Sequence, residues 1–346
     1  MMRTTAAAFD FALPAGRIAQ RPRPPEEQRL LTYERDTGTI GHRRFAELPA
    51  LLRPGDLVVV NDSKVIPAQL GRHDGTHILV LDPAAGGFAG LRAICPTRPA
   101  VGDRLGLPGA TFVVTGREPE GDVCVGDLIP DEPAPSLAAF LDAHGSPPLP
   151  PYVRREPDAR DARDYQTMFA VAPGSIAAPT AGLHFHPALV AALGARGVRV
   201  ATITLHVGYG TFRQFTAPYV DEHRMDAEPY WVPAATADAI WEALRDGRRV
   251  VGVGTTVTRT LESVAPALRG ARPPGDLAGA ATLFIYPPYH FRVLGGLITN
   301  FHYPRTPVLS LTAAFCGGVD ALRRIYDEAL TRDYAFYSYG DAMLAL

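Results

Sequence analysis

Apolar residues in this chain come in short β-branched runs that end abruptly on polar or glycine-rich segments. Leu57-Val58-Val59-Val60 stops at Asn61-Asp62, and Ala201-Thr202-Ile203-Thr204-Leu205 stops at His206. Val250-Val251-Gly252-Val253 gives way to Gly254-Thr255-Thr256, and Gly296-Leu297-Ile298 to Thr299-Asn300-Phe301-His302. Runs of this length and branching predict buried strands. In an open α/β sheet, ligands bind beyond the carboxyl ends of the strands. Several strands that deliver small polar groups and histidines there predict an active site assembled from distant segments.

Helical periodicity fills the gaps between these runs. Residues 187–196 read as a helix with Pro187 in its first turn and Gly197 after it. Thr236 is the expected cap of a second, with Ile240, Trp241 and Leu244 inward and Gly247 as the stop. Thr255 or Thr256 opens a third, carrying Val257, Leu261 and Val264, and residues 321–330 give a fourth. This alternation predicts α/β architecture with a largely parallel or mixed sheet.

From about residue 69 to 149 the pattern changes. Short apolar stretches (77–81, 89–94, 111–114, 122–125) alternate with Gly, Pro and Asp turns, as in a small antiparallel barrel. One helix follows, capped by Ser136 and stopped by Gly145, before the break Ser146-Pro147-Pro148-Leu149-Pro150-Pro151. The expected organisation is a larger, discontinuous α/β domain (residues 1–68 and 150–346) with a β-barrel domain (69–149) inserted into it.

Composition narrows the class. The chain has 346 residues and a formal charge of -2, so it does not announce a strongly basic nucleic-acid binder. Lys64 is the sole lysine, a bias that fits GC-rich coding together with the abundant Ala, Gly and Pro. Three cysteines without a C-x-x-C pair argue for a reduced compartment and against a zinc–thiolate site. Asp10 interrupts the apolar start, so no secretory signal is read, and no run approaches the roughly 18–20 apolar residues of a membrane span. A soluble, cytoplasmic, monomeric protein without membrane contact is expected.

Several segments carry candidate chemistry. In Ala178-Pro179-Thr180-Ala181-Gly182-Leu183-His184-Phe185-His186, Pro179 and Gly182 predict an irregular backbone able to approach a ligand, and His184 is a candidate acid, base or ligand. A zinc reading of His184-x-His186 is disfavoured, because no acidic third ligand stands at a telling distance and Pro187 starts a helix at once. His206 precedes a loop flexed by Gly208 and Gly210, while Glu228 closes a charged run just before apolar sequence resumes. Gly254-Thr255-Thr256 offers donors at a helix start, suited to a carboxylate or phosphate, with Arg259 one turn further on. Thr299, Asn300 and His302, and the near-terminal Ser338-Tyr339-Gly340-Asp341, add neutral hydrogen-bonding groups and an acid.

Taken in order, these segments resemble the S-adenosylmethionine:tRNA ribosyltransferase-isomerase family of queuosine biosynthesis. The resemblance runs nearly end to end. It includes Phe9-Asp10-Phe11, Arg53-Pro54-Gly55-Asp56-Leu57, Asn61-Asp62-Ser63-Lys64-Val65-Ile66-Pro67-Ala68 and Leu149-Pro150-Pro151-Tyr152. Tyr165-Gln166-Thr167, Ala178-Pro179-Thr180-Ala181-Gly182-Leu183-His184-Phe185, Thr204-Leu205-His206-Val207-Gly208 and Phe284-Ile285-Tyr286-Pro287 continue it. Gly254-Thr255-Thr256, Thr299-Asn300-Phe301-His302 and Ser338-Tyr339-Gly340-Asp341-Ala342-Met343-Leu344 complete it.

The resemblance implies a large α/β domain carrying a small inserted barrel. It also implies transfer and isomerisation of the ribosyl part of S-adenosylmethionine onto the aminomethyl group of a 7-deazaguanine base in tRNA. Adenine and methionine leave, epoxyqueuosine results, and S-adenosylmethionine is a co-substrate with no metal required. On this reading His206 or His184 removes a proton, and Glu228 or Asp341 holds the sulfonium or ribose. Thr180, Thr255, Thr256 and Asn300 orient the sugar and the methionine carboxylate. Asn61, Asp62, Gly182, Gly208, Thr211, Arg259, Thr299, His302 and Tyr339 complete the expected binding set. Three positions depart from the family pattern: Asp226 stands for a histidine, Gly295 for an aspartate, and the barrel lacks the usual lysines. These departures keep open a paralogue that acts on a small acceptor, and a non-catalytic RNA-binding descendant.

Overall fold

Residues 3–81, 87–118, 122–155 and 157–346 are described by the computed structural model of the chain. The strands are β1 (Arg29–Glu34), β2 (Thr39–Arg44), β3 (Leu57–Asn61), β4 (Ser63–Val65), β5 (Gln69–Gly71) and β6 (His77–Val80). They continue with β7 (Leu91–Ile94), β8 (Arg104–Leu107), β9 (Ala110–Arg117), β10 (Val123–Pro130), β11 (Ala172–Ser175) and β12 (Arg199–Leu205). The last five are β13 (Glu228–Val232), β14 (Val250–Val253), β15 (Leu277–Ala281), β16 (Gly296–Asn300) and β17 (Ala342–Ala345).

A nine-stranded mixed sheet runs in the order β15-β13-β12-β3-β14-β16-β17-β1-β2. The four apolar runs of the sequence are its centre: β12, β3, β14 and β16 are mutually parallel neighbours. Their apolar character is continuous because both faces are covered. Leu57 and Val59 of β3 enter one core, with the helices Ala234–Arg245, Gly254–Ser263, Pro307–Phe315 and Val319–Thr331. Val58 and Val60 enter the opposite core, beneath Phe45, Leu48 and the helix Pro187–Ala195. The chain's last strand is part of this centre: β17 is wholly buried, antiparallel to β16 and parallel to β1.

Strands β5 to β10 form a second, six-stranded antiparallel sheet, β5-β6-β7-β10-β9-β8. It curls into a nearly closed barrel, and the His73 N–H donates to the Gly106 carbonyl between its two edges. The helix Leu137–His144 packs beneath, its Ser136 hydroxyl accepting from the Ala139 N–H, and Ser146 bridges back to Gln69. The barrel has its own core, which Ile66, Ala68 and Ile176 join from the chain on either side.

Two helix starts differ from the periodicity. Thr236 is not a cap: the helix Ala234–Arg245 begins after Pro233, and the Thr236 hydroxyl donates inward to the Thr202 carbonyl. Asp276 takes the capping task, accepting from the Ala234 N–H. The helix Pro307–Phe315 is a further element, although Thr306-Pro307 is a regular start signal; the Thr306 hydroxyl accepts from the Leu309 N–H.

The parallel centre is clasped at its carboxyl rim by one side chain. Asn61 donates to the Leu205 carbonyl at 2.9 Å and accepts from the Leu205 N–H at 3.0 Å and the Ser63 N–H at 3.1 Å. Asn61→Ala leaves these buried backbone groups unpaired and is expected to cost about 2 kcal/mol. Urea denaturation of the two proteins, with unchanged m-value, checks this.

Candidate active site

The four parallel strands deliver their carboxyl ends to one rim, and a cavity opens there. Thr299 and Asn300 reach it from β16, Gly254, Thr255 and Thr256 from the turn after β14, and Val207 from just beyond β12. Gly254 makes its turn with φ at +89°, a conformation that favours glycine, so the strand passes directly into the helix Gly254–Ser263. Its N-cap residue, Val253, offers no capping side chain, which leaves first-turn N–H groups beside Thr255 and Thr256 without a cap from that position. Thr180, Thr211 and His302 line the same space. An adjoining recess shares Thr211, Thr255 and Thr256 and continues to Met225 and Arg259.

Aromatic residues make the opposite wall. Tyr152, Tyr165, Phe212 and Tyr337 line the cavity together with Ser338. Tyr152 lies 3.8 Å from Tyr337 between ring centroids, makes a T-shaped contact with Phe212, and its hydroxyl pairs with Ser338 Oγ. Among the described residues, no Asp, Glu, Lys or Arg lines the main cavity. None of these rings stood among the expected binding residues. The motif fragments at Tyr152 and Tyr165 were the available signal.

The candidate histidines occupy three different environments. His184 is 4% exposed and stacks on Phe45. Its Nδ1 donates to Gln28 Oε1 at 3.1 Å, and its Nε2 accepts from Asn300 Nδ2 at 3.2 Å. Gln28 in turn donates to the Arg23 carbonyl, and Thr180 Oγ1 donates to Asn300 Oδ1 at 3.2 Å. This chain of bonds fixes the Asn300 amide with its oxygen toward Thr180. Burial pushes the His184 pKa down to about 4, so the ring is neutral. His184 is outside the cavity lining and acts on it through Asn300.

His206 also lies outside the lining. Its Nδ1 meets Ser63 Oγ at 2.9 Å, and its ring packs so closely on Gly174 that an added Cβ there would come within 2.5 Å. Burial lowers its pKa, opposed by Asp62. Asp62 itself accepts from the Thr204 hydroxyl at 2.6 Å. Neither Asp62 nor Asn61 lines the cavity, and the Asn61 amide is taken up by the sheet clasp.

His302 is the histidine at the cavity wall. Thr312 Oγ1 donates to the Val308 carbonyl and therefore accepts from His302 Nδ1, at 3.1 Å. That leaves Nε2 as an acceptor, 3.3 Å from Thr299 Oγ1. Burial pushes its pKa down to about 3 and keeps it neutral.

Both candidate carboxylates are bound elsewhere. Glu228 is 3% exposed, pairs with Arg259 and accepts from the Gly208 N–H at 2.8 Å. Burial raises its pKa, opposed by Arg259. Arg259 spends its other donors on the Leu283 and Ala281 carbonyls. Asp341 accepts from the Ala335 N–H at 2.8 Å, the Arg29 N–H at 3.1 Å and Arg23. Gly182 packs on Thr167, and Tyr339 lies edge-on to Tyr165 behind the wall. The departures from the family pattern lie apart from the lining. Gly295 immediately precedes β16, at the end away from the cavity and beside Arg249, and Asp226 sits 3.9 Å from Arg213 and against Gly210. Among the described residues, no group of three or more His, Cys, Asp or Glu is placed to hold a metal, and no helix is long and apolar enough to cross a membrane.

Comparison with known proteins gives one consistent picture. The sequence profile described as "Queuosine biosynthesis protein" matches residues 6–345. An S-adenosylmethionine:tRNA ribosyltransferase-isomerase from Geobacter sulfurreducens is 44% identical over 344 residues, covering 97% of this chain and 98% of the relative. The protein of that name from Chlorobaculum parvum is 46% identical over 341 residues, with 97% and 98% covered. A crystal structure of S-adenosylmethionine tRNA ribosyltransferase from Thermotoga maritima is similar at 33% identity, with a TM-score of 0.56 and coverage of 98% of this chain and 100% of that one.

Two measurements test the groups around the site. Arg259→Met leaves Glu228 buried without its cation and is expected to cost about 3–5 kcal/mol, read by urea denaturation. For His184, a folded pKa of about 4 against 6.5 unfolded means the unfolded chain binds more protons between those values. Its stabilisation is complete above pH 6.5 and is lost as pH falls toward 4, at up to about 1.4 kcal/mol per pH unit. His184→Gln cannot titrate there, so the stability gap between the native protein and the variant narrows on acidification. A gap independent of pH contradicts the neutral, buried ring.

Proposed function

Because the chain belongs to the queuosine biosynthesis protein family, we infer that it transfers and isomerises the ribosyl moiety of S-adenosylmethionine onto the 7-aminomethyl-7-deazaguanine base of tRNA. Epoxyqueuosine is the product, adenine and methionine are released, and the setting is the cytoplasm. The observation that carries this reading is a neutral cavity, rich in aromatic rings and hydroxyls, at the carboxyl ends of three of the four central parallel strands, β12, β14 and β16. A sulfonium nucleoside suits such a space. Its cation is attracted to aromatic faces, its ribose offers hydroxyls to hydroxyl and amide partners, and its amino-acid carboxylate matches an uncapped helix start.

The roles follow from position. Thr255, Thr256 and the first-turn N–H groups receive the methionine carboxylate, while Thr180 and Asn300 hold the ribose hydroxyls. The rings of Tyr152, Phe212 and Tyr337 replace Glu228 and Asp341 as partners of the sulfonium, since both carboxylates are engaged outside the lining. The sulfonium acidifies the adjacent 5′ C–H, and a base must take that proton. His302 is assigned this role in place of His206 or His184, because it alone of the three lines the cavity. Burial makes it a weak base, so the role requires that ligand binding free its Nε2 from Thr299 and that the sulfonium acidify the C–H strongly. The acceptor amine attacks in its uncharged form, the adenine departs with the electron pair of its glycosidic bond, and methionine departs with that of the carbon–sulfur bond.

Incubation with S-adenosylmethionine and tRNA bearing the aminomethyl base, followed by chromatography of adenine, tests the reaction. Release that requires the tRNA is expected. Release with a small amine but not with tRNA identifies the paralogue instead. In single turnover, His302→Ala is expected to slow adenine release by about 10²–10⁴-fold, and His206→Ala by less than about tenfold. Equal rates for native protein and His302→Ala remove His302 from the role.

A further inference from the structure

A directed line of hydrogen bonds runs from the N-terminal segment to the cavity, and its direction is fixed at the end far from the ligand. The Arg23 carbonyl can only accept, so the Gln28 side chain turns its amide nitrogen toward it, at 3.2 Å. That leaves Gln28 Oε1 facing His184, where it accepts from Nδ1–H at 3.1 Å. A neutral imidazole carries one ring proton, so His184 Nε2 is an acceptor and takes an Asn300 Nδ2–H at 3.2 Å. Asn300 then presents Oδ1 to Thr180, and the Thr180 hydroxyl spends its proton there, also at 3.2 Å. No single link can be reversed without setting donor against donor or acceptor against acceptor.

The inner members are shielded from water. Gln28, His184 and Asn300 are buried, and the His184 ring is stacked on Phe45 at 4.8 Å between centroids. Burial pushes the His184 pKa down to about 4, which holds the ring to one proton at neutral pH. Thr180 is half-buried, lines the cavity and makes no other side-chain hydrogen bond among the described residues. With its proton committed to Asn300, Thr180 Oγ1 has only lone pairs left for a ligand. A carbonyl, ether or phosphate oxygen placed there meets another acceptor, whereas an O–H or N–H group is bound.

We propose that Gln28, which does not line the cavity, is a positioning residue: through His184 and Asn300 it sets the polarity of the Thr180 hydroxyl, and so makes this point of the cavity selective for a hydrogen-bond donor on the ligand. This rests on the functional reading above, in which the donor is a ribose hydroxyl of S-adenosylmethionine. Without the Gln28 acceptor, His184 is free to carry its proton on Nε2. That proton turns Asn300 Oδ1 toward His184 and the Asn300 amide nitrogen toward Thr180. The Thr180 hydroxyl then accepts from Asn300 and points its own proton at the ligand, the reverse of the native polarity.

Two measurements test this, and the first involves no ligand. NMR of the histidine ring nitrogens in the native protein near neutral pH is expected to show His184, identified by its loss in His184→Gln, protonated on Nδ1 and bare on Nε2. The opposite tautomer, or an even mixture, overturns the relay whatever any variant does. In Gln28→Met the proton is expected on Nε2, and an unchanged tautomer overturns the role of Gln28. The second measurement is calorimetric binding of S-adenosylmethionine and its 2′-deoxy and 3′-deoxy analogues. One analogue is expected to bind the native protein about tenfold more weakly than S-adenosylmethionine. In Gln28→Met that ratio is expected to fall below about threefold. A variant that binds all three compounds more weakly but keeps the native ratio shows a merely structural role and overturns the proposal. Equal affinity of the native protein for all three overturns donor selectivity at Thr180 while leaving the functional reading intact. A native protein that binds none of them overturns the functional reading and the selectivity with it, and the tautomer alone then judges the relay.

Discussion

A charge that leaves water must find its partner inside the protein, and around this sheet that constraint shapes the cavity. Glu228 is closed off by Arg259 and the Gly208 N–H, and Asp341 by Arg23 and two backbone N–H groups. Glu262 accepts from the N–H groups of Arg292, Val293 and Leu294. Each carboxylate is a buried tie between distant segments. Because these acids serve as ties, the space at the strand ends is left to hydroxyls, an amide, rings and one neutral histidine. A cavity without fixed charge can accept a cation without first breaking an ion pair.

The same ties hold the walls in place. The Glu228–Arg259 pair joins β13 to the helix Gly254–Ser263, and through Gly208 it anchors the loop that carries Thr211 and Phe212. The bonds from Arg23 through Gln28, His184 and Asn300 to Thr180 connect the N-terminal segment to the cavity floor. Pre-organised polar groups pay their ordering cost during folding and not during reaction. The barrel abuts the same rim: Ile176 lies in its core and Tyr209 packs against it, immediately beside Ala177 and Thr211 of the cavity region. A macromolecular acceptor that touched the barrel would therefore be close to the reacting groups.

Strand positions were plain in the sequence because a strand buried on both faces must be apolar at every position. The runs at 57–60, 201–205, 250–253 and 296–298 announced the parallel centre, and the shift to short runs punctuated by turns announced the barrel. Thr180, Thr211, Thr255, Thr256, Thr299, Asn300 and His302 were also within reach, since they lie at or just beyond the ends of apolar segments. The tyrosines of the opposite wall were not, because a ring that stacks on ligand and a ring that fills a core look the same along a chain. Thr236 departs from its expected capping role for a related reason: a threonine near a helix start suits a cap equally well as an inward bond to a neighbouring strand.

The sequence by itself determined the four apolar strands of the centre, several of the helices between them, the presence of a second unit, the family and the rim at which polar residues gather. The tertiary structure decided which of those polar residues face the cavity. Glu228, Asp341, His184 and His206 were the most reactive candidates by residue type, yet each is turned toward a partner contributed from at least 20 positions away in sequence. A side chain's chemistry is local to its residue, whereas its partner, its burial and hence its charge are set by segments that meet only when the chain folds.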